Sequence, residues 1–330
     1  MKSIINDLFH HKTLNRSEAK SILTRIANGE FNDVQIGVFL TVFNMREITP
    51  EELVGFREAL LELCIAVDFS EYDTIDVCGT GGDGKDTFNI STTSAFVIAG
   101  AGYKVAKHGN YGVSSNCGSS DVLQYLGYEF TNDLGQLSKN IENSNFTYLH
   151  APLFHPAMKA VGPARKQMGV KTFFNILGPL VNPSKPGRQL TGVFSRDLIK
   201  LYKYVFDQSN QDFAVLYSED GYDEISLTSS FAWQSSFGQG NYSPLDLGFK
   251  NWKQSDLYGG DSVEDSAKIM VNILDGNGSK AQEEVVLANA GFGIKLFNQE
   301  KSILDCIGMA KESIDSGSAL QKLKKATGKV

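Results

Sequence analysis

The chain has 330 residues, enough for about two domains at roughly 150 residues each. Thirty-one Lys and Arg stand against 38 Asp and Glu, a formal charge of −7, and hydrophobic residues make up 42%. That composition excludes extended disorder, and the acidic balance argues against a nucleic-acid binder, which would carry a basic stripe.

The first 65 residues read as helices. Ser17 is placed to cap a helix through Ala19, Ile22, Leu23 and Ile26, and Gly29 ends it. Phe31 to Phe43 repeats the pattern. Thr49-Pro50-Glu51-Glu52 combines a cap, a first-turn proline and first-turn acids, and opens a helix with Leu53, Phe56, Leu60, Leu61 and Cys64 on one face. The pattern then changes. Ile75 to Cys78 reads as a strand stopped by Gly79, Ser91 to Ala101 as a helix, and Tyr103 to Ala106 as a second strand. This βαβ unit implies a parallel sheet with right-handed crossovers. Further strands are expected at 147–149, 189–193 and 213–217, with helices between them that include one from Ser195 to Phe206. Residues 227–258 suit turns and short antiparallel strands, and Asp265 to Leu274 and Lys280 to Ala290 read as a closing pair of helices. No run reaches the ~18 apolar residues of a membrane span. Met1-Lys2-Ser3-Ile4-Ile5-Asn6-Asp7 lacks a signal-peptide core. Cys64, Cys78, Cys117 and Cys306 lie far apart with no CxxC, which suits reduced thiols and a cytoplasmic protein.

Gly79-Thr80-Gly81-Gly82-Asp83-Gly84 follows the first strand. Its glycines let backbone N–H groups approach an oxyanion without Cβ interference, and Asn89-Ile90-Ser91-Thr92 then opens a helix whose free N–H groups make a second anion site. Two such sites suit a ligand phosphorylated at separate places. A phosphate-binding P-loop is excluded because no Gly-Lys-Ser/Thr follows. The letters of GxGxxG are present, but Asp83 would face a dinucleotide pyrophosphate, and no acid ends a strand about 20 residues on. A plain connecting turn is the alternative. Lys107-His108-Gly109-Asn110 follows the second strand and runs into a glycine- and hydroxyl-rich loop ahead of a helix at 121–126. Lys107 can supply a point charge there, and Ser114, Ser115 and Ser119 can donate hydroxyls. Asp223-Glu224 are adjacent carboxylates on a turn and can hold Mg²⁺, which favours oxygen ligands; an exposed acidic turn is the alternative. Arg165 can clamp a carboxylate through two parallel hydrogen bonds, or be a solvated helix residue.

Taken together, Asp76 to Asp83, Asn89 to Thr92, Lys107 to Asn110, Phe174 to Pro183 and Gly221 to Glu224 resemble the anthranilate phosphoribosyltransferase family, in the family's order and over nearly the whole chain. The resemblance implies a small all-helical domain and a larger α/β domain with a mainly parallel central sheet flanked by helices, the nucleoside phosphorylase and phosphoribosyltransferase type, with the active site between them. It divides the chain into a helical domain at 1–65, completed by residues near 165–187, and an α/β domain at 70–164 and 188–330. It implies a homodimer formed through the helical domain, and no nucleic-acid or membrane partner. It implies Mg²⁺-dependent transfer of 5-phosphoribose from phosphoribosyl pyrophosphate to the amine of anthranilate, releasing pyrophosphate, in tryptophan biosynthesis.

By the same resemblance, phosphoribosyl pyrophosphate is held by Gly79, Gly82, Asp83, Thr87, Asn89, Ile90, Ser91 and Thr92, and by Lys107, His108, Gly109, Asn110, Tyr111, Gly112, Val113, Ser114, Ser115 and Ser119. Ser91, Asp223 and Glu224 bind Mg²⁺, partly through water. Gly79, His108, Asn110 and Arg165 receive anthranilate. No residue serves as a nucleophile. Tyr111 stands where the family often has Arg, and Lys171 also replaces a common Arg. The nearest rival is a pyrimidine-nucleoside phosphorylase of the same architecture, from which Asp223-Glu224 and Asn89-Ile90-Ser91-Thr92 distinguish this chain. A non-catalytic nucleic-acid-binding relative would show a basic surface and a degraded metal site.

Overall fold

Thr49 does cap a helix. In the computed structural model, which describes residues 1–112 and 117–329, the Thr49 side chain accepts from the Glu52 N–H and the Glu52 side chain returns to the Thr49 N–H, so Pro50–Leu63 starts on a full capping box. Glu52 itself is fully buried. It also accepts from the Leu14 N–H at 2.9 Å and from both terminal nitrogens of Arg46 at 2.9 and 2.6 Å. Burial is the largest single pull and raises its carboxyl, but these donors together outweigh it and hold the group below the usual range. The helix expected to be capped by Ser17 starts two residues earlier. Arg16–Ala27 is capped by Asn15, which exchanges hydrogen bonds with Glu18; the Asn-x-x-Glu box satisfies two end groups where Ser17 would satisfy one.

The chain divides into two units, Met1–Val67 with Ala151–Lys185, and Asp68–His150 with Pro186–Val330. In the first, helices Lys2–Phe9, Arg16–Ala27, Asp33–Met45 and Pro50–Leu63 are joined by Ala151–Phe154, Met158–Met168 and Phe174–Leu177. Phe173 stacks on Phe56 with centroids 4.5 Å apart and meets Phe39 and Phe43 edge-on. The mid-chain segment thus supplies part of one aromatic core. It joins at Ala151, earlier than the expected 165, because the main chain is tied there: Ile65 N–H donates to the Phe154 carbonyl at 2.8 Å, and Val67 N–H to the Pro183 carbonyl at 3.2 Å.

His155 in this unit is 3% exposed, and burial lowers its pKa to about 4, against a smaller opposing pull from the Val181 backbone. Its ordinary value is near 6.5, so between about 6.5 and 4 the unfolded chain binds a proton that the folded chain does not. Stability is therefore expected to fall by about 3 kcal/mol as pH drops through that window. Urea denaturation followed by circular dichroism should show a flatter pH dependence for His155→Gln than for the wild type; equal slopes would refute the assignment.

The second unit is built on a seven-stranded sheet in the order β3-β2-β1-β4-β5-β6-β7. The strands are β1 Thr74–Gly79, β2 Lys104–Gly109, β3 Phe146–His150, β4 Arg188–Gly192, β5 Asp212–Ser218, β6 Phe231–Ser235 and β7 Gly238–Tyr242. The first five are mutually parallel, and β6 and β7 pair antiparallel at the edge. The α/β class with a mainly parallel sheet is as expected. Helix Ile90–Gly100 crosses from β1 to β2 and is buried along every residue from Thr92 to Ala99. Such a helix cannot be amphipathic, and its sequence carries no charge, only small hydroxyls in its first half and apolar side chains after them.

Three regions of this unit differ from the sequence reading. β2 extends to Gly109, so Lys107, His108 and Gly109 lie within the strand rather than after it; parallel pairing continues through Lys107↔Tyr148 to Gly109↔His150. A helix at Leu134–Ser144 carries the chain into β3. The helices 263–274 and 280–295 do not close the fold: Ile303–Asp315, capped by Ser302 with Asp305, and Ser318–Thr327 follow and cover the crossover helix.

Candidate active site

Chain order in the sheet runs 3-2-1 on one side and 4-5 on the other, so it reverses between β1 and β4. Crossover connections diverge there and leave a crevice outside the carboxyl ends of the two strands, the usual ligand position in open α/β sheets. Gly79 ends β1 and pairs in register with Gly192 at the end of β4. A Cβ on Gly192 would overlap the Asp223 carbonyl oxygen. One on Gly79 would overlap Asp223 Oδ2 and come within 2.7 Å of its Cγ. Two facing glycines therefore make the slot that receives the Asp223 backbone and carboxylate.

Asp223 is 8% exposed and accepts from the Gly81 N–H through Oδ2. Glu224 reaches the N-terminus of the crossover helix, where its Oε1 accepts from the Ser91 N–H at 3.0 Å. It stands where an N-cap side chain would, since Asn89 makes no side-chain cap bond there and instead donates to the Cys117 carbonyl. Burial, then the neighbouring Asp83 and Glu224 charges, push the Asp223 carboxyl well above its ordinary range. Burial pushes Glu224 up to about 7, opposed by Ser91 and by the Lys107 charge. Crowded, poorly hydrated carboxylates are what a cation would neutralise.

Lys107 lies beneath this group. It is 2% exposed, and its ammonium donates to the Val77 carbonyl and to Ser91 Oγ at 3.3 Å. The charge read from sequence as facing a polyanion is thus sunk into the sheet, because residue 107 belongs to a strand buried on both faces. His108 is buried and its N–H donates to Asp76 Oδ1 at 3.2 Å. Asn110 accepts through its carbonyl from the Ser120 N–H at 3.1 Å and from Ser119 Oγ at 3.4 Å. Tyr111 sends its hydroxyl to Gln124 and its ring edge-on to His150, 4.9 Å away. Gly112 N–H and Gly118 N–H both donate to Asp121 Oδ2 at 2.8 Å. Val113, Ser114 and Ser115 lie outside the described residues. Thr87 bridges to Tyr258; Ile90 and Thr92 are buried in the first turn of the helix. Gly82 and Asp83 lie on the turn between β1 and that helix, Gly82 with φ +82°.

In the helical unit, Arg165 sits on Met158–Met168. Its Nη2 donates to Asn175 Oδ1 at 3.4 Å and its guanidinium lies over the Phe174 ring. Asn175 Oδ1 also accepts the Thr172 N–H at 3.0 Å. The Phe174-Asn175 pair thus orients the arginine.

Two contributors went unread in the sequence. Gly192 had no motif around it. Asn289, on helix Lys280–Lys295, accepts from the Ile225 N–H and donates to the Ile225 carbonyl, pinning the chain directly after Glu224. A lone asparagine in a late helix gives no local signal.

The oxygen donors Asp223, Glu224 and Ser91 fit a hard divalent cation. Among the described residues no three His, Cys, Asp or Glu side chains form a complete ligand group, so water and substrate phosphates would fill the remaining positions, as is usual for Mg²⁺.

Residues 71–320 match the model of the glycosyl transferase family α/β domain, and residues 2–64 that of its helical bundle domain. The anthranilate phosphoribosyltransferase of Christiangramia forsetii is 54% identical over 98% of both chains, and that of Flavobacterium johnsoniae 53% over 98% of both. The chain belongs to the anthranilate phosphoribosyltransferase family. Solved anthranilate phosphoribosyltransferases share its fold. The Thermus thermophilus structure superposes with a TM-score of 0.91 at 30% identity over 98% of each chain. The Saccharomyces cerevisiae structure, a complex with PRPP and Mg, superposes with a TM-score of 0.91 at 26% identity, covering 99% of this chain and 96% of that one.

Proposed function

We propose that this chain catalyses Mg²⁺-dependent transfer of 5-phosphoribose from phosphoribosyl pyrophosphate to the amine of anthranilate, releasing pyrophosphate, in tryptophan biosynthesis. The observation that carries this reading is the pair of facing glycines, Gly79 and Gly192, admitting Asp223-Glu224 to the N-terminus of a buried helix at the reversal of strand order. Breaking the ribose C1–O bond builds positive charge on the sugar and negative charge on the departing pyrophosphate. A bound Mg²⁺ supplies neutralisation of that leaving charge. The chain's part is preorganisation. N–H groups of the glycine-rich turn beyond Gly81 face the phosphates, while those of Gly81 and Ser91 are taken by the Asp223 and Glu224 carboxylates. Asp223, Glu224 and Ser91 would hold the metal. Lys107, fixed on Val77 and Ser91, favours the ionised form of Glu224 from below against the larger pull of burial. Positioning of the largely neutral aromatic amine near C1 supplies much of the remaining acceleration, and no nucleophile is needed. The test is loss of anthranilate fluorescence with phosphoribosyl pyrophosphate and Mg²⁺, each component omitted in turn; phosphorolysis of thymidine or uridine without anthranilate consumption would support the phosphorylase instead.

Gly79, His108, Asn110 and Arg165 receive anthranilate in this reading, with the Arg165 guanidinium on its carboxylate. Arg165→Ala is expected to raise the anthranilate KM about 10- to 100-fold, the worth of a charge-assisted pair, with the phosphoribosyl pyrophosphate KM unchanged. An effect confined to the other substrate would contradict it. Dimerisation through the helical unit is supported by its exposed apolar side chains, Phe9, Val34, Met45 and Val170, each more than half exposed; a single-chain mass in light scattering would overturn it. No helix among the described residues is long and apolar enough to cross a membrane, and all four cysteines are free, which supports a cytoplasmic enzyme.

A further inference from the structure

Lys85 and Tyr222 have no part in the site as described. Lys85 leaves the glycine-rich turn directly after Gly84, whose φ is +72°. Its ammonium stands 4.7 Å from the centroid of the Tyr222 ring, within the range of a cation–π contact. Tyr222 is 1% exposed, yet its buried hydroxyl has no hydrogen-bond partner among the described residues. What the fold engages is the ring and not the phenol oxygen. The Lys85 N–H donates to Asp83 Oδ1 at 3.1 Å, and the Asp83 charge bears on the Asp223 carboxyl. The Tyr222 ring, Lys85 and Asp83 are therefore linked in succession, which ties the glycine-rich turn to the residue before Asp223. The glycines of this turn, with φ of +71° at Gly81 and +82° at Gly82, give it little stiffness of its own, so an outside anchor decides where it sits.

We propose that Lys85 and Tyr222 form a latch that fixes the Gly81-to-Asp86 turn against the Asp223-Glu224 turn, making both of them positioning residues for the pyrophosphate. This rests on the reading that the turn receives phosphoribosyl pyrophosphate. The latch holds the turn that carries the pyrophosphate in this reading, so its loss shows in the affinity for phosphoribosyl pyrophosphate, not in that for the acceptor.

The experiment is calorimetric titration of phosphoribosyl pyrophosphate with Mg²⁺ into the full-length wild type, Tyr222→Phe, Tyr222→Leu, Lys85→Met and the Leu/Met double variant, together with steady-state kinetics. Tyr222→Leu and Lys85→Met are each expected to weaken binding about 10-fold, the scale of a desolvated cation–π contact, and the double variant no further than either. Tyr222→Phe keeps the ring and should bind as the wild type does. The anthranilate KM should stay unchanged throughout. Multiplicative losses in the double variant, a loss in Lys85→Met with none in Tyr222→Leu, or an equal loss in Tyr222→Phe would each overturn the latch. Circular dichroism checks folding. Because Lys85 is not a core residue, wild-type binding by Lys85→Met alone also overturns it. Failure of the wild type itself to bind phosphoribosyl pyrophosphate would instead refute the functional reading.

Discussion

Gly192→Ala is expected to lower kcat/KM by about 100-fold or more, the cost of displacing a reacting constellation by about an ångström. The added Cβ would overlap the Asp223 carbonyl oxygen and lie 3.1 Å from the Glu224 nitrogen. Main chain cannot rotate aside as a side chain does, so the whole Asp223-Glu224 turn must shift or β4 must part from β1. Overpacking of this kind costs about 3 kcal/mol of stability, visible as a lowered thermal midpoint. Added Mg²⁺ should not restore activity, because the ligands themselves have moved. Gly79→Ala meets the Asp223 carboxylate as well as its backbone, and a carboxylate can swing, so its loss should be smaller. Thermal unfolding and steady-state kinetics of the two variants decide the matter. Wild-type behaviour of Gly192→Ala would mean that the slot between β1 and β4 does not position the carboxylates.

Glu224→Gln and Asp223→Asn are expected to lower kcat by about 100- to 1,000-fold at fixed Mg²⁺, the range seen when one preorganised electrostatic contact to a developing charge is removed. Both amides keep an acceptor for the Ser91 and Gly81 N–H groups, so the fold should persist, and excess Mg²⁺ should recover part of the loss. In the metal-free protein the same substitutions should be neutral or stabilising, since each removes a charge from a crowded, buried group. The sign follows from linkage. Glu224 titrates near 7 in the fold and in the ordinary carboxylate range when unfolded, so between those values the folded chain binds the extra proton. Its contribution to stability is present at acid pH and is lost as pH rises toward 7. The metal-free urea midpoint of Glu224→Gln should therefore depend less steeply on pH across that window than the wild type's. An unchanged slope, or unchanged turnover, would remove Glu224 from the metal site.

Much of this was legible locally. Thr49-Pro50-Glu51-Glu52 announces a helix start because capping is decided within one turn of chain. Gly79 to Gly84 announces an anion-binding turn because glycine spacing and the following helix start are contiguous. The all-apolar stretch from Ala95 to Ala99 marks a buried crossover. The alternation of such segments requires a parallel sheet, and the ordered motifs carry the family.

Tertiary structure decided the rest. The extension of β2 through Gly109 depends on β3, some 40 residues away in sequence, and it turned Lys107 from a solvent-facing charge into a buried brace beneath Glu224. The value of Gly192 depends on which residue faces it across β1 and β4. Asn289 and Tyr222 act through backbone and ring contacts with segments remote in sequence. Local sequence sets backbone preference and periodicity, which act over a few residues. The burial, charge crowding and close approach that make carboxylates reactive are properties of what surrounds them, and only the folded chain brings those surroundings together.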